Sequence, residues 1–280
     1  MRGDCHVHMV LDGQDWKAAI KRHAGGVDLK FVGGVLAQYR KLGYVYLRDG
    51  GDRWGVGAAA RELAGEFGIQ YVTPQAPICK QGHYGSFIGE CFENMKDYAR
   101  LVGLRRQQGA DFIKIMISGL MDFDRFGVLT EEGLAAGEIA EMIHIAHSEG
   151  FSVMAHANGA RVLEAAAAAG VDSVEHGAYP DEAALHAMAE KGVVWVPTVS
   201  TIGNLLGKGR FDEKAVRSIF DRTVENIQLF HDMGGIVAPG TDAGAWAVAH
   251  GCETEEGYLA LAGVDKDACE QGLQAIMEKF

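Results

Sequence analysis

Five short apolar runs carry the chemistry of this chain. Gly3-Asp4-Cys5-His6-Val7-His8 places two histidines two residues apart, a spacing that puts both imidazoles on one face of a strand. Phe151-Ser152-Val153-Met154-Ala155-His156 and Val171-Asp172-Ser173-Val174-Glu175-His176 each end on a histidine. Gly235-Ile236-Val237-Ala238-Pro239-Gly240-Thr241-Asp242 ends on an aspartate. The fifth run, Phe112-Ile113-Lys114-Ile115-Met116-Ile117, holds a lysine in its middle. Imidazoles and a carboxylate aimed the same way from separate strands are the donor set of a divalent metal centre, with zinc the first choice. Each residue also has a plainer reading. His6 and His8 could be satisfied core histidines, His156 and His176 could bond backbone, and Asp242 could close a turn. Lys114 is the most telling, because burying an ammonium among Phe, Ile and Met is costly without a partner. Its plainer reading is a salt bridge to an inward-facing carboxylate.

Such runs need a scaffold that brings their C-terminal ends together. β-like runs at residues 4–9, 44–48, 69–74, 112–118, 151–155, 171–175, 193–197 and 236–239 alternate with helical stretches. The helical stretches are 14–24, 56–67, 90–108, 132–149, 159–169, 181–191, 213–233 and a last one near 254–278. Thr130-Glu131-Glu132-Gly133 and Asp181-Glu182 read as helix starts. Eight of each predict an α/β fold, a (β/α)₈ TIM barrel, with residues 1–280 as one hydrolase domain. A doubly wound open sheet is the alternative, but it gathers ligands from neighbouring strands at one crevice. Here the donors come from the first, fourth, fifth, sixth and eighth runs, which a closed ring brings together. Residues 79–89, with Gly82, Gly85 and Gly89, follow the third run without clear structure and are placed to cover the site.

Composition narrows the partners. The 280 residues carry a net charge of -12, which argues against nucleic acid or an anionic membrane surface and leaves a small-molecule substrate. No basic, then apolar leader opens the chain, and no apolar run approaches the roughly 20 residues of a spanning helix. The five cysteines are odd in number and none forms a C-x-x-C pair. That argues against structural zinc and a disulfide framework, and makes a reducing cytoplasm the default.

In this order, the residues resemble the amidohydrolase superfamily: HxH on strand one, lysine on strand four, histidines on strands five and six, aspartate on strand eight. The wording is closer still to its imidazolonepropionase-like and Xaa-Pro-dipeptidase-like branch. Asp111-Phe112-Ile113-Lys114-Ile115-Met116, Ala155-His156-Ala157, Ser173-Val174-Glu175-His176-Gly177, Val196-Pro197-Thr198 and Pro239-Gly240-Thr241-Asp242 each match its motifs, over nearly the whole chain. The resemblance implies a binuclear amidohydrolase that cleaves an amide or dipeptide-like bond by a metal-bridging hydroxide. It implies His6, His8 and Asp242 on one ion, and His156 and His176 on the other. Lys114, N-carboxylated by CO₂, would bridge both. Asp242 would move the proton to the leaving amine. His83 would sit near the substrate carbonyl, and Tyr179 would contact substrate. Lactone or phosphoester hydrolysis on the same site, or a non-catalytic metal-binding barrel, are the alternatives.

Departures accompany the resemblance. Asn158 stands where the branch usually has a second histidine, and Leu120-Met121 follow Gly119 where a second glycine is common. Family members also carry flanking segments that form a small β-sandwich. These 280 residues start at the HxH strand, so a barrel without the sandwich is expected, its bare face polar or covered in a homo-oligomer. Gly55-Val56-Gly57-Ala58-Ala59-Ala60 imitates a nucleotide-binding turn but reads as a helix start. His23, His144, His147, His186 and His231 fall on helices and read as surface, while His250 stays open.

Overall fold

Ten short strands, each paired in parallel with its neighbours, form the frame that positions the five runs. The computed structural model describes all residues from Met1 to Phe280. The strands are β1 (Gly3–Val7), β2 (Tyr46–Asp49), β3 (Gln70–Val72), β4 (Ile78–Lys80), β5 (Glu90–Phe92), β6 (Ile113–Met116), β7 (Val153–Ala157), β8 (Ser173–His176), β9 (Val194–Val196) and β10 (Ile236–Val237). One sheet runs β1-β2-β3 and the other β10-β9-β8-β7-β6-β4-β5. Backbone bonds join the two at both meeting points. Beside β10, Cys5 N donates to Pro239 O (2.9 Å), Asp242 N to His6 O (2.8 Å) and His8 N to Ala243 O (2.7 Å). Between β3 and β6, Asp111 N donates to Thr73 O (3.0 Å). The result is a mixed α/β, TIM-barrel-like fold. No helix is long and apolar enough to cross a membrane.

Strand parity explains why these runs are apolar throughout yet carry polar groups. Ile113, Ile115, Val153, Ala155, Val174 and Trp195 pack with Ile139, Leu163, Leu185 and Ile219 of the surrounding helices. Lys114 and His156 sit on the opposite parity of the same strands, buried but away from that layer. The register continues the pattern, pairing Met116 with His156 and Ala157 with His176.

Several elements differ from expectation, including an additional strand, β4, at Ile78–Lys80. A helix at Leu29–Lys41 was hidden by Gly33-Gly34, which lower helix propensity. Tertiary burial of Val32, Val35, Leu36 and Tyr39 overrides that, and Asp28 caps its start by accepting from Phe31 N (3.0 Å). The stretch at 90–108 begins as β5, and its helix starts only at Met95. The helix expected from residue 132 starts at Ala136, without a side-chain cap. Thr130 and Glu131 are used differently: Thr130 Oγ1 accepts from Leu120 N (2.9 Å) and Glu131 Oε1 from Tyr84 N (2.7 Å). The C-terminal segment splits into Thr254–Leu261 and Lys266–Lys279, because Gly263 turns left-handed (φ 77°) and Asp265 caps a new helix. Asp181 does cap its helix, accepting from Ala184 N (2.9 Å).

Candidate metal centre

Asp4 fixes the geometry of the first donors. Its buried carboxylate accepts from His6 N (3.2 Å) and Thr241 N (2.9 Å) through Oδ1, and from Thr241 Oγ1 (2.6 Å) through Oδ2. It thus ties β1 to the turn that carries Asp242. Asp242 itself takes a left-handed conformation (φ 57°), which aspartate tolerates better than most residues. His6 Nε2 and His8 Nε2 then lie 3.3 Å apart, with Asp242 Oδ1 at 3.6 and 3.4 Å from them. A tetrahedral ion with bonds near 2.0–2.1 Å holds its ligands roughly 3.3 Å apart, so the three donors fit one divalent ion.

The hydrogen bonds behind the ligands decide which atoms face inward. His6 Nδ1 lies 2.8 Å from Glu175 Oε2, so it is the protonated nitrogen and Nε2 keeps its lone pair. Glu175 is pinned in turn by Arg48 Nη2 (2.8 Å) and Ser173 Oγ (2.6 Å), while Arg48 Nε donates to Cys5 O (2.7 Å). His156 Nε2 donates to Gly119 O (3.1 Å), which leaves Nδ1 with its lone pair free. His176, also left-handed (φ 66°), bonds Thr198 Oγ1 through Nδ1 (2.7 Å), which turns Nε2 away from that bond. The His156 and His176 rings are 4.6 Å apart, and His176 is 5.2 Å from His6. All four imidazoles have lowered pKa values, chiefly through burial, and Lys114 adds to this at each of them. They are therefore held neutral, the form that binds metal.

Three buried groups in this cluster have an atom without a partner. Lys114 Nζ, Asp242 Oδ1 and His8 Nδ1 make no hydrogen bond. Burial lowers the Lys114 amine to about 8 and raises the Asp242 carboxyl to about 8. The ligating atoms of His6, His8 and Asp242 all lie within 4.8 Å of one another, a crowding of lone pairs that a cation would resolve. The residues therefore fit a metal.

The cluster lies in a cavity of about 740 Å³, whose walls include Leu11, Trp16, Tyr84, Phe87, Phe211 and Trp246. His6, His8, Lys114, His156, His176 and Asp242 all line it. His83 and Tyr179 are not among its lining residues. His83 Nδ1 is 3.7 Å from Glu131 Oε1, and Tyr179 packs edge-on against Phe126 at 5.7 Å. With Glu131 holding Tyr84 N, the loop presents Tyr84 instead, its ring 4.8 Å from His156. Tyr84 is not marked by the sequence motifs, nor are Glu175 and Arg48 as supports of His6. The signal for Glu175 was its place in the Ser173-Val174-Glu175-His176 run, two residues after Ser173. His250 belongs to the core: its Nε2 donates to Leu11 O (2.9 Å). His23, read as surface, is buried, because it ends the helix Trp16–Arg22 and accepts from Asp28 N (3.1 Å).

Gly50 shows how closely the backbone packs on a candidate ligand: a Cβ there would collide with the His8 imidazole. Gly50→Ala should displace His8 and weaken metal affinity roughly 10–100-fold. Chelator competition measures this, and an unchanged affinity would remove His8 from the ligand set.

No family model matches the chain. It is 25% identical over 277 residues to ochratoxinase of Aspergillus niger, covering 85% of this chain and 56% of that protein. It is 31% identical over 120 residues to an uncharacterized protein of Mycobacterium tuberculosis, covering 41% of this chain and 32% of that protein. The chain thus spans about half, or less, of the length of the curated relatives it matches. Among solved structures, a Xaa-Pro dipeptidase with bound methionine superposes with a TM-score of 0.79 at 22% identity, over 99% of this chain and 75% of that one. The Aspergillus niger ochratoxinase structure gives 0.74 at 22% identity, over 98% and 68%. The chain has the fold of these two solved structures, which is the likeness that the ordered motifs imply.

Proposed function

We propose that this protein is a metal-dependent hydrolase of an amide or dipeptide-like C–N bond that uses two divalent ions, zinc first, in a closed (β/α)₈ barrel. The carrying observation is the convergence of His6 Nε2, His8 Nε2 and Asp242 Oδ1, 3.3 to 3.6 Å apart, in one buried cavity with the unpartnered Lys114 Nζ. The backbone bonds at both joins between the sheets support the closed ring. Solved amidohydrolase and Xaa-Pro dipeptidase structures of the same fold, and the ochratoxinase relative, support the reaction class.

His6, His8 and Asp242 would hold one ion, and His156 and His176 the other. When bound, such ions polarise a carbonyl and make water a nucleophile at neutral pH. Lys114 is suited to capture CO₂: its neutral nitrogen attacks the carbon, a proton leaves, and an anionic carbamate replaces an unpartnered cation. With its pKa lowered to about 8 by burial, roughly a tenth of the amine is neutral near pH 7, far more than for an exposed lysine. Asp242 would accept the proton of the attacking water and return it to the departing nitrogen. Trp16, Phe87 and Trp246 would hold an apolar part of the substrate and keep bulk water out. Arg210, whose guanidinium lies 4.0 Å from the Trp246 ring centre, would place a cation beside that wall for a substrate carboxylate.

The zinc-loaded protein should bind two equivalents of metal and hydrolyse members of a panel of N-acyl amino acids and dipeptides. Less than one equivalent after dialysis, or turnover confined to lactones in the same panel, would overturn this reading.

A further inference from the structure

A thiol pair lies under the loop that walls the cavity. Cys79 on β4 and Cys91 on β5 are register partners on adjacent parallel strands, and their Sγ atoms are 2.8 Å apart. Both are free thiols. A disulfide needs about 2.05 Å between sulfurs, so bonding requires a movement of less than about 1 Å. The backbone already fixes this approach: Gln81 N donates to Phe92 O (2.8 Å) and Glu90 N to Pro77 O (2.9 Å), one on either side of the pair. No third histidine, cysteine or carboxylate joins the two sulfurs, so they do not form a metal site of their own.

We infer that Cys79 and Cys91 form a redox-reversible disulfide that staples the base of the loop spanning residues 81–89. The chemistry of the pair is independent of the proposed hydrolysis. Its consequence reaches the cavity, because the loop between the two cysteines carries Tyr84 and Phe87. Gly85 rests directly on the pair: a Cβ there would lie 3.1 Å from Cys79 Cβ. Cys79 is fully buried and Cys91 half-buried, which orders the steps. A small disulfide such as glutathione disulfide meets Cys91 first. The Cys91 sulfur, having lost its proton, attacks one sulfur of that disulfide and releases one small thiol. Cys79 then loses its proton and attacks Cys91 Sγ, expelling the second small thiol. Two protein thiols are oxidised and one small disulfide is reduced to two thiols.

The test is incubation of the folded protein with glutathione disulfide, followed by alkylation, digestion and mass spectrometry. A peptide linked through Cys79 and Cys91 is expected, with Cys5, Cys252 and Cys269 alkylated. The oxidised form should show slower hydrogen exchange across residues 81–89 and a melting temperature higher by roughly 5 °C. Both changes should reverse on reduction. In Cys79→Ser, Cys91 should instead accumulate as the mixed disulfide with glutathione, since its resolving partner is gone. Wild-type protein that stops at the mixed disulfide, or keeps both thiols free, overturns the pairing. A linked pair with unchanged exchange in the loop overturns the stapling.

Discussion

Lys114→Met is expected to abolish turnover, by roughly 10³-fold or more, while making the metal-free protein more stable. The two effects have opposite signs because Lys114 is fully buried and its ammonium has no hydrogen-bond partner. Burial lowers its pKa from 10.5 to about 8. The unfolded chain therefore binds more protons than the folded one between those values. Stability rises with pH across that window, and the penalty is fully present below pH 8. The difference of about 2.5 units corresponds to roughly 3 kcal/mol. Methionine matches the length of lysine and removes the charge, so it should recover much of that penalty near neutral pH. Urea denaturation of the metal-free wild type and variant at pH 7 and pH 10 measures it: the gap between them should shrink at the higher pH. On the metal side, loss of the bridging group should reduce binding from two equivalents to about one. A variant that keeps full activity would end the bridging role. A metal-free variant less stable than wild type at pH 7 would show that Lys114 has a partner in the core.

Much of the site was legible because its chemistry sits on strand ends with fixed parity. His6 and His8, two apart, could point the same way only on a strand, and the alternation of Ile113, Lys114 and Ile115 marked one face as polar. The parts that escaped are those where tertiary structure overrides local pattern. The helix at Leu29–Lys41 exists because Val32, Leu36 and Tyr39 find a core, despite two adjacent glycines. β4 and β5 are three residues each, too short to leave a period, and they turn the expected loop at 79–89 into a short excursion between two parallel strands. That excursion decides which aromatic meets the histidine cluster. A sequence offers His83 and Tyr84 as neighbours, and only the Glu131 contact to Tyr84 N, 47 residues away, selects between them. Arg48 and Glu175 were hidden for a related reason. A buried ion pair is visible only when its two halves, 127 residues apart, are seen together.

Asp242→Asn is expected to keep the fold and much of the metal affinity while lowering turnover by about 10²- to 10⁴-fold. The backbone at this position is left-handed, and asparagine is the side chain besides aspartate that adopts this conformation at little cost. The amide also imitates the neutral carboxyl, which burial favours by raising the pKa from 3.8 to about 8. Folding should therefore change by less than about 1 kcal/mol. His6 and His8 would still present their Nε2 atoms, held by Glu175 and by the close packing of Gly50. What asparagine cannot do is accept a proton from water and return it to a leaving amine. Asp242→Ala separates the roles further, since it removes the ligand oxygen and adds roughly 1–2 kcal/mol of left-handed strain. Metal content, melting temperature and kcat for the three proteins distinguish the cases. If Asn lowers metal content as much as Ala does, Asp242 acts chiefly as a ligand. If Asn keeps both metal and turnover, the proton passes through another group. Loss of turnover with metal retained assigns the proton transfer to Asp242, the one carboxylate that the turn after β10 brings to both His6 and His8.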